Sequence, residues 1–170
     1  MAGGVYVLIY LVAIVAANLG VARFGPAFAP FIAFLLIGLD LSLRDRLHDL
    51  WRGRLLWFKM AALICAGSAI TYLINQAAGR IALASVVAFA LAMAADAMAY
   101  HSLRRRPFLV RANGSNLPSA FVDSLVFPTL AFGAFMPLIV LGQFAAKVGG
   151  GALWSLVIQW LTGRRLTLTG

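Results

Sequence analysis

The sequence is poor in charged residues and lacks glutamate altogether. Charged side chains make up 11% of its 170 residues, whereas soluble domains carry roughly a quarter. Its acidic residues are Asp40, Asp45, Asp49, Asp96 and Asp123. So low a charge is typical of an integral membrane protein and not of a soluble domain. Each carboxylate within an apolar run needs a specific reason to be there, because a charge is costly to insert into a bilayer.

Residues that bind metals or form covalent intermediates are equally scarce. Cys65 is the only cysteine, so the chain forms no internal disulfide and no cysteine-based metal cluster. Its position inside an apolar run predicts a buried, inert thiol. His48 and His101 stand alone, and the sequence contains no P-loop and no recognisable nucleophile–base pair. We therefore expect neither a cofactor nor an enzymatic activity.

Apolar residues are abundant instead. They make up 63% of the chain, and the mean hydropathy is +0.95. A chain of this size cannot hide so much apolar surface inside itself, so lipid must be the solvent for most of it. The net charge of +9 does not indicate nucleic acid, because the basic residues lie between apolar runs and topology explains them.

The apolar runs predict an all-α fold, a six-helix transmembrane bundle that forms one domain over residues 1–170. The first run has no basic region before it and is interpreted as a retained span, not a signal peptide. The second is short, so we expect it to extend into LDLSLRDRL. Five spans, with Lys147 in a loop, is the alternative count. The predicted spans are residues 4–22, 27–43, 55–74, 81–100, 117–135 and 137–161.

The distribution of basic residues predicts the orientation of the bundle. With a cytoplasmic N-terminus, eleven lysines and arginines fall on inner connections, and only Arg23 and Arg80 fall on outer ones. The positive-inside rule then places both termini in the cytoplasm. We expect a multi-pass protein of a bacterial-type cytoplasmic (inner) membrane.

Four polar residues lie deep in the predicted spans: Asp96, Asp123, Gln143 and Lys147. Such residues tend to face the bundle interior, to pair and to mark substrate pathways. One interpretation is structural, with Lys147 neutralising one aspartate. Because two acids share one base, however, one carboxylate is left over, which favours a polar pocket near mid-membrane.

Helical spacing groups further polar residues. Asn116, Ser119 and Asp123 recur at intervals of three and four and share a helix face. Ser85 precedes Asp96 by eleven residues, close to three turns, so these two also share a face.

Other candidates lie nearer the ends of the spans. Asn18 lies near the end of the first span, where it caps the helix, faces a cavity or meets the interface. Asp40 and Arg44, four residues apart, form a local ion pair or close the pocket from the cytoplasmic side. Pro118 suits a first helical turn. Gly149 to Gly151 would loosen the last helix or admit a close neighbour.

Several segments together resemble the vitamin uptake transporter, or queuosine precursor transporter, family. They are LDLSLRD, GRIALAS with Asp96 eleven residues after its serine, NGSNLPSAFVDSLVF and GQFAAKV. The resemblance covers about residues 18–147 and implies a small six-helix inner-membrane protein. The family is similar in size and helix count to the substrate-binding subunits of energy-coupling-factor transporters. The resemblance implies no dedicated ATPase module. Val122 and Met93 depart from positions that can be polar in the family.

The resemblance implies uptake of 7-cyano-7-deazaguanine and 7-aminomethyl-7-deazaguanine, precursors of queuosine. It places a set of residues on family polar positions: Asp40, Arg44, Arg80, Ser85, Asp96, Asn116, Ser119, Asp123, Ser124 and Lys147.

The chemistry of such a ligand can be argued from its functional groups. A guanine-like ring presents N1–H and the 2-amino group side by side, which one carboxylate accepts in bidentate fashion. The hypothesis is that Asp123 or Asp96 reads this edge while Lys147 balances the second acid. Asn116, Ser119, Gln143 or Lys147 would then donate to O6.

Other functions remain open from the sequence. They are uptake of another vitamin-like or nucleobase solute, and a membrane substrate-binding subunit that needs an energising partner. A third is a membrane enzyme, which would need a nucleophile or metal site that the sequence does not show. The driving force is open, and small-residue runs allow a homo-oligomer.

Overall fold

The computed structural model describes residues 2–51, 55–103 and 108–162, and every regular element in these ranges is helical. The helices are α1 (Ala2–Phe24), α2 (Ala29–Ile32), α3 (Gly38–Trp51), α4 (Leu56–Ile74), α5 (Gly79–Ser102), α6 (Phe108–Phe132) and α7 (Pro137–Thr162). Short 3₁₀ turns at Pro26–Phe28 and Gln76–Ala78 precede α2 and α5. A π-helical segment, Ala33–Ile37, joins α2 to α3 without a break in helical backbone.

The predicted all-α membrane bundle is confirmed. Five segments are long and apolar enough to cross a membrane: Gly3–Phe24, Pro26–Arg44, Leu56–Ile74, Gln76–Ala99 and Pro137–Ile158. The second continues to Trp51 through α3, as the short apolar core of residues 27–43 led us to expect.

Helix α6 is the exception among the predicted spans. Its 25 residues reach about 37 Å at 1.5 Å per residue, enough for a hydrocarbon core of about 30 Å. Its polar residues, including Asn116, Ser119 and Asp123, keep it out of the set defined by hydropathy. The sixth span therefore stays a prediction.

The start of α6 corrects the sequence interpretation. The helix begins at Phe108, so Pro118 lies inside it and not in its first turn. The polar residues before Pro118, whose types are typical of turns, are helical because this segment packs against the end of α5. The contact is close, since a Cβ at Gly114 would lie 2.6 Å from Leu103 Cδ1. Tertiary contact here overrides local propensity.

Cys65 also departs from expectation, because its side chain is exposed on α4 and not buried. The surface of this bundle is itself apolar, as the exposed Leu73 and Leu138 show. A thiol, which behaves as a small hydrophobe, therefore loses little by lying on it.

One end of the bundle, which we call the Gly25 end, is formed by the turns after α1, α4 and α6. Gly25 and Gly133 adopt positive φ angles of 76° and 75°, a conformation that glycine reaches without steric cost. Arg80 Nε donates to the Leu130 carbonyl over 2.9 Å, so the guanidinium caps the end of α6. Arg80 thus has a structural partner at this end.

The orientation of the bundle in the membrane is not decided by these contacts. Much of the basic charge on which that prediction depends lies outside the described residues, at Arg52, Arg54, Arg104, Arg105, Arg106, Arg164 and Arg165. Both cytoplasmic termini therefore remain a prediction.

Two buried apolar clusters hold the helices together. One joins α1, α3, α4 and α7 around Tyr10, Leu47 and Met60. The other joins α1, α2, α5 and α6 around Val21 and Ile81, nearer the Gly25 end.

Helices α2–α3 and α7 run parallel in close contact. A Cβ at Gly38 would lie 2.6 Å from the Gly150 carbonyl carbon, and one at Gly142 would lie 3.1 Å from Pro30 Cγ. Ser42 Oγ donates to the Gly151 carbonyl over 3.1 Å. The glycines of α7 therefore admit a close neighbour, the second of the two roles expected for them, and the helix runs through them unbroken.

Candidate functional site

A cavity of about 70 Å³ lies inside the bundle and is lined by all of its long helices. Most of the lining is apolar, and it includes the aromatic rings of Phe89 and Phe127. Six polar residues complete it: Asn18, Asp40, Ser85, Asp123, Gln143 and Lys147. A mostly apolar cavity with a few convergent polar groups is the usual form of a small-molecule site.

The polar residues lie at successive depths. Asn18, Ser85 and Gln143 are each six residues from the Gly25 end of their helices, about 9 Å at 1.5 Å per residue. Asp123 and Lys147 are nine and ten residues from that end, or about 14 Å. Asp40 is deepest, about 21 Å from Pro26 along the helix. Together they line a polar path from near one end to the middle of the bundle.

Asn18 organises the shallow part of the cavity. Its Oδ1 accepts a hydrogen bond of 2.7 Å from Ser85 Oγ, and its Nδ2 donates to Thr71 Oγ1 over 3.5 Å. Thr71 in turn donates to the Gly67 carbonyl over 2.8 Å. One buried amide therefore joins α1, α4 and α5.

Lys147 organises the middle of the cavity. Its Nζ donates to Asp123 Oδ2 over 2.6 Å and to Gln143 Oε1 over 3.4 Å. Lys147 is 3% exposed, whereas Asp123 is 27% exposed. The ammonium thus depends on this carboxylate, since a buried charge needs a partner.

Asp40 is the deep carboxylate of the cavity. It is 7% exposed, and its Oδ1 has no hydrogen-bond partner among the described residues. Arg44, Tyr10, Asp123 and Lys147 all act on it electrostatically. The Tyr10 hydroxyl lies beside Asp40 without a hydrogen bond of regular geometry.

The structure brings six of the ten residues predicted for the site to the cavity. Asn116 is exposed, and Ser119 is buried outside the lining. Asp96 shares a face with Ser85 but lies about 16 Å further along α5, beyond the cavity, so the shared face does not make a shared site. Arg44 lies one turn beyond Asp40 and acts on the cavity through that carboxylate.

The sequence interpretation missed Tyr10, Phe89 and Phe127. Nothing distinguishes these aromatic residues from their apolar neighbours along the chain. Only the packing of α1 against α3, and of α5 against α6, identifies them.

The Asn18 network carries a testable consequence. We expect Asn18→Ala to lower the free energy of unfolding by about 1–3 kcal/mol, because Ser85 Oγ loses its acceptor and Thr71 Oγ1 keeps only its bond to the Gly67 carbonyl. Thermal unfolding of the purified protein would measure it. Asn116→Ala, the same change at an exposed amide, should have little effect. Equal losses in the two variants would contradict the assignment.

Hydrogen bonding and ion pairing are the chemistry that this cavity offers. Among the described residues, no three His, Cys, Asp or Glu side chains are placed to hold a metal ion.

Comparison with known proteins adds one finding. A family model described as "Putative vitamin uptake transporter" matches residues 7–162, a range that contains every residue of the cavity lining. Neither a curated protein nor a solved structure matches the chain.

Proposed function

The chain belongs to the vitamin uptake transporter family, and we propose that this multi-pass membrane transporter imports 7-deazaguanine precursors of queuosine. The solutes would be 7-cyano-7-deazaguanine and 7-aminomethyl-7-deazaguanine. The proposal places the protein in a bacterial-type inner membrane with both termini in the cytoplasm. It includes no chemical conversion of the solute and no cofactor.

The observation that carries the proposal is the buried cavity with an open carboxylate oxygen at its deep end. A guanine-like ring presents two adjacent N–H donors, which suit a carboxylate oxygen that has no hydrogen-bond partner among the described residues. The rings of Phe89 and Phe127 in the lining offer faces against which a flat heterocycle can pack.

The size of the cavity bears on the transport cycle. About 70 Å³ is well below the roughly 300–1,000 Å³ of pockets that hold drug-sized ligands. Entry of a bicyclic base therefore requires lining side chains or helices to move apart. Such movement is what a carrier with alternating access performs.

Uptake in cells tests the proposal. A bacterial strain that neither makes queuosine precursors nor has its own importer would express this protein, with the deazaguanine supplied at low concentration. Queuosine in the tRNA is the expected result. Its absence from cells with well-expressed, correctly inserted protein would contradict the proposal.

Purified protein in proteoliposomes separates the transporter from a binding subunit. We expect uptake of the labelled deazaguanine into vesicles that contain this chain alone. Binding without uptake would instead favour a substrate-binding subunit that needs an energising partner. Competition by other nucleobases and vitamins in the same assay would define the solute class.

A further inference from the structure

Two buried polar atoms of the cavity lack a hydrogen-bond partner within the described part of the chain. They are Asp40 Oδ1 and Gln143 Nε2, on side chains that are 7% and 1% exposed. A buried polar group without a hydrogen bond is destabilising, so each needs an explanation. One is an acceptor and the other a donor, and both belong to the cavity lining.

The orientation of the Gln143 amide follows from its neighbour. Lys147 Nζ lies 3.4 Å from Gln143 Oε1, and an ammonium group can only donate. The amide oxygen must therefore face Lys147, and Nε2 is the group left to donate to something else.

The same lysine decides which aspartate remains open. Lys147 binds Asp123 Oδ2 at 2.6 Å, so the charge of Asp123 is balanced within the protein. Asp96 lies outside the cavity lining. Asp40 is therefore the carboxylate that presents an open oxygen to the cavity, in place of Asp123 or Asp96 as the sequence hypothesis had it.

Asp40 and Gln143 lie at different depths of the bundle. Gly38 contacts Gly150 and Pro30 contacts Gly142, so α2–α3 and α7 run in parallel with a constant offset of 112 residues between them. Asp40 is then level with Ala152, so its Cα lies nine residues, about 13 Å, deeper along the bundle than the Cα of Gln143. A solute that meets both groups therefore extends along the bundle axis.

We propose that Asp40 and Gln143 are the two polar contacts of the solute site. They select a neutral bicyclic solute with N–H donors at one end and a hydrogen-bond acceptor at the other. This inference rests on the proposed function and makes it more specific. The cyano compound presents its nitrile acceptor to Gln143 Nε2. The aminomethyl compound presents a cation there, which would meet the amide donor and the nearby Lys147 ammonium.

Binding to purified protein tests the inference, with 7-cyano-7-deazaguanine and 7-aminomethyl-7-deazaguanine as probes. The wild-type protein should bind the cyano compound at least tenfold more tightly. Asp40→Asn should weaken both at least tenfold, because the amide replaces one of the two acceptor oxygens with an NH2 donor that opposes the N–H donors of the ring. Asp96→Asn, the same change outside the cavity, should leave both affinities unchanged.

Gln143 provides the discriminating variants. Gln143→Glu replaces the donor with an acceptor and should reverse the preference towards the aminomethyl compound. Gln143→Met keeps the size but removes the donor, and should abolish the preference. Thermal unfolding of each variant without solute verifies that it is folded.

The outcomes separate the two proposals. Wild-type binding that Asp40→Asn and Gln143→Glu leave unchanged would overturn the inference alone. A wild-type protein that binds neither compound would overturn the proposed function and the inference with it.

Discussion

Asp123→Ala is expected to destabilise the folded bundle by about 3–5 kcal/mol, because it leaves a buried ammonium without its carboxylate. Lys147 is 3% exposed, and its remaining contact is the longer one to Gln143 Oε1, at 3.4 Å. Thermal unfolding of the purified protein would show the loss as a lower midpoint temperature. Uptake should also be lost. Lys147 orients the Gln143 amide, and without Asp123 the position of this lysine is no longer fixed.

Removing the other member of the pair should lower the free energy of unfolding by less. Lys147→Met leaves Asp123, whose side chain is 27% exposed, so the remaining charge is less buried than the ammonium that Asp123→Ala leaves behind. The double variant Asp123→Ala with Lys147→Met removes both charges, and replacing a buried ion pair by apolar groups is often neutral. We expect it to regain most of the stability that Asp123→Ala loses.

A double-mutant cycle measures whether Asp123 and Lys147 stabilise the fold as a pair. A large coupling between the two positions would confirm the pair. Strictly additive effects would contradict it and would show that each charge is solvated separately. Uptake by the double variant should remain low even though its stability recovers, because the Gln143 amide has lost its anchor.

Gly150→Ala is expected to have the second large effect. A Cβ at this position would overlap the carbonyl oxygen of Phe34 and lie 3.0 Å from its carbonyl carbon. These are backbone atoms of the π-helical segment and cannot rotate away as a side chain can. Overpacking typically costs about 1–3 kcal/mol, occasionally more, and a backbone overlap belongs at the upper end. Uptake should also fall, since this segment leads directly to Asp40.

Gly149→Ala is the matched control. Its Cβ would meet only the ring of Phe34, at 3.8 Å, an ordinary contact. Since alanine is favoured over glycine in a helix interior by about 0.5–1 kcal/mol, this variant should be neutral or stabilised. We therefore expect the unfolding midpoint to fall in Gly150→Ala and to stay unchanged or rise in Gly149→Ala. Similar midpoints would refute the close contact between α7 and the π-helical segment.

Hydrophobicity along the chain was sufficient to predict most helices. Predicted spans at 55–74 and 137–161 match α4 (Leu56–Ile74) and α7 (Pro137–Thr162) closely. Long apolar runs in lipid must satisfy their backbone hydrogen bonds internally, so each becomes a helix. The prediction was wrong at the start of α6, where polar residues typical of a turn precede Pro118. This segment is helical because it contacts α5.

For the polar residues of the site, too, the sequence predicted one part and the packing of the helices decided the other. Their presence within apolar runs is visible in the sequence, because charge in a bilayer is rare enough to be noticed. Asp123 and Lys147 could be expected to pair on charge alone, and they do. Asn116 and Ser119 share a helical face with Asp123 yet do not reach the cavity, because spacing along one helix says nothing about the neighbouring helices.

The sequence by itself therefore determined the all-α membrane bundle and the polar residues worth testing, since both follow from the cost of placing chain atoms in lipid. Only the tertiary structure decided which carboxylate stays open. Asp123 and Asp40 lie on different helices, and Lys147 binds the first, whereas Asp40 Oδ1 has no hydrogen-bond partner among the described residues.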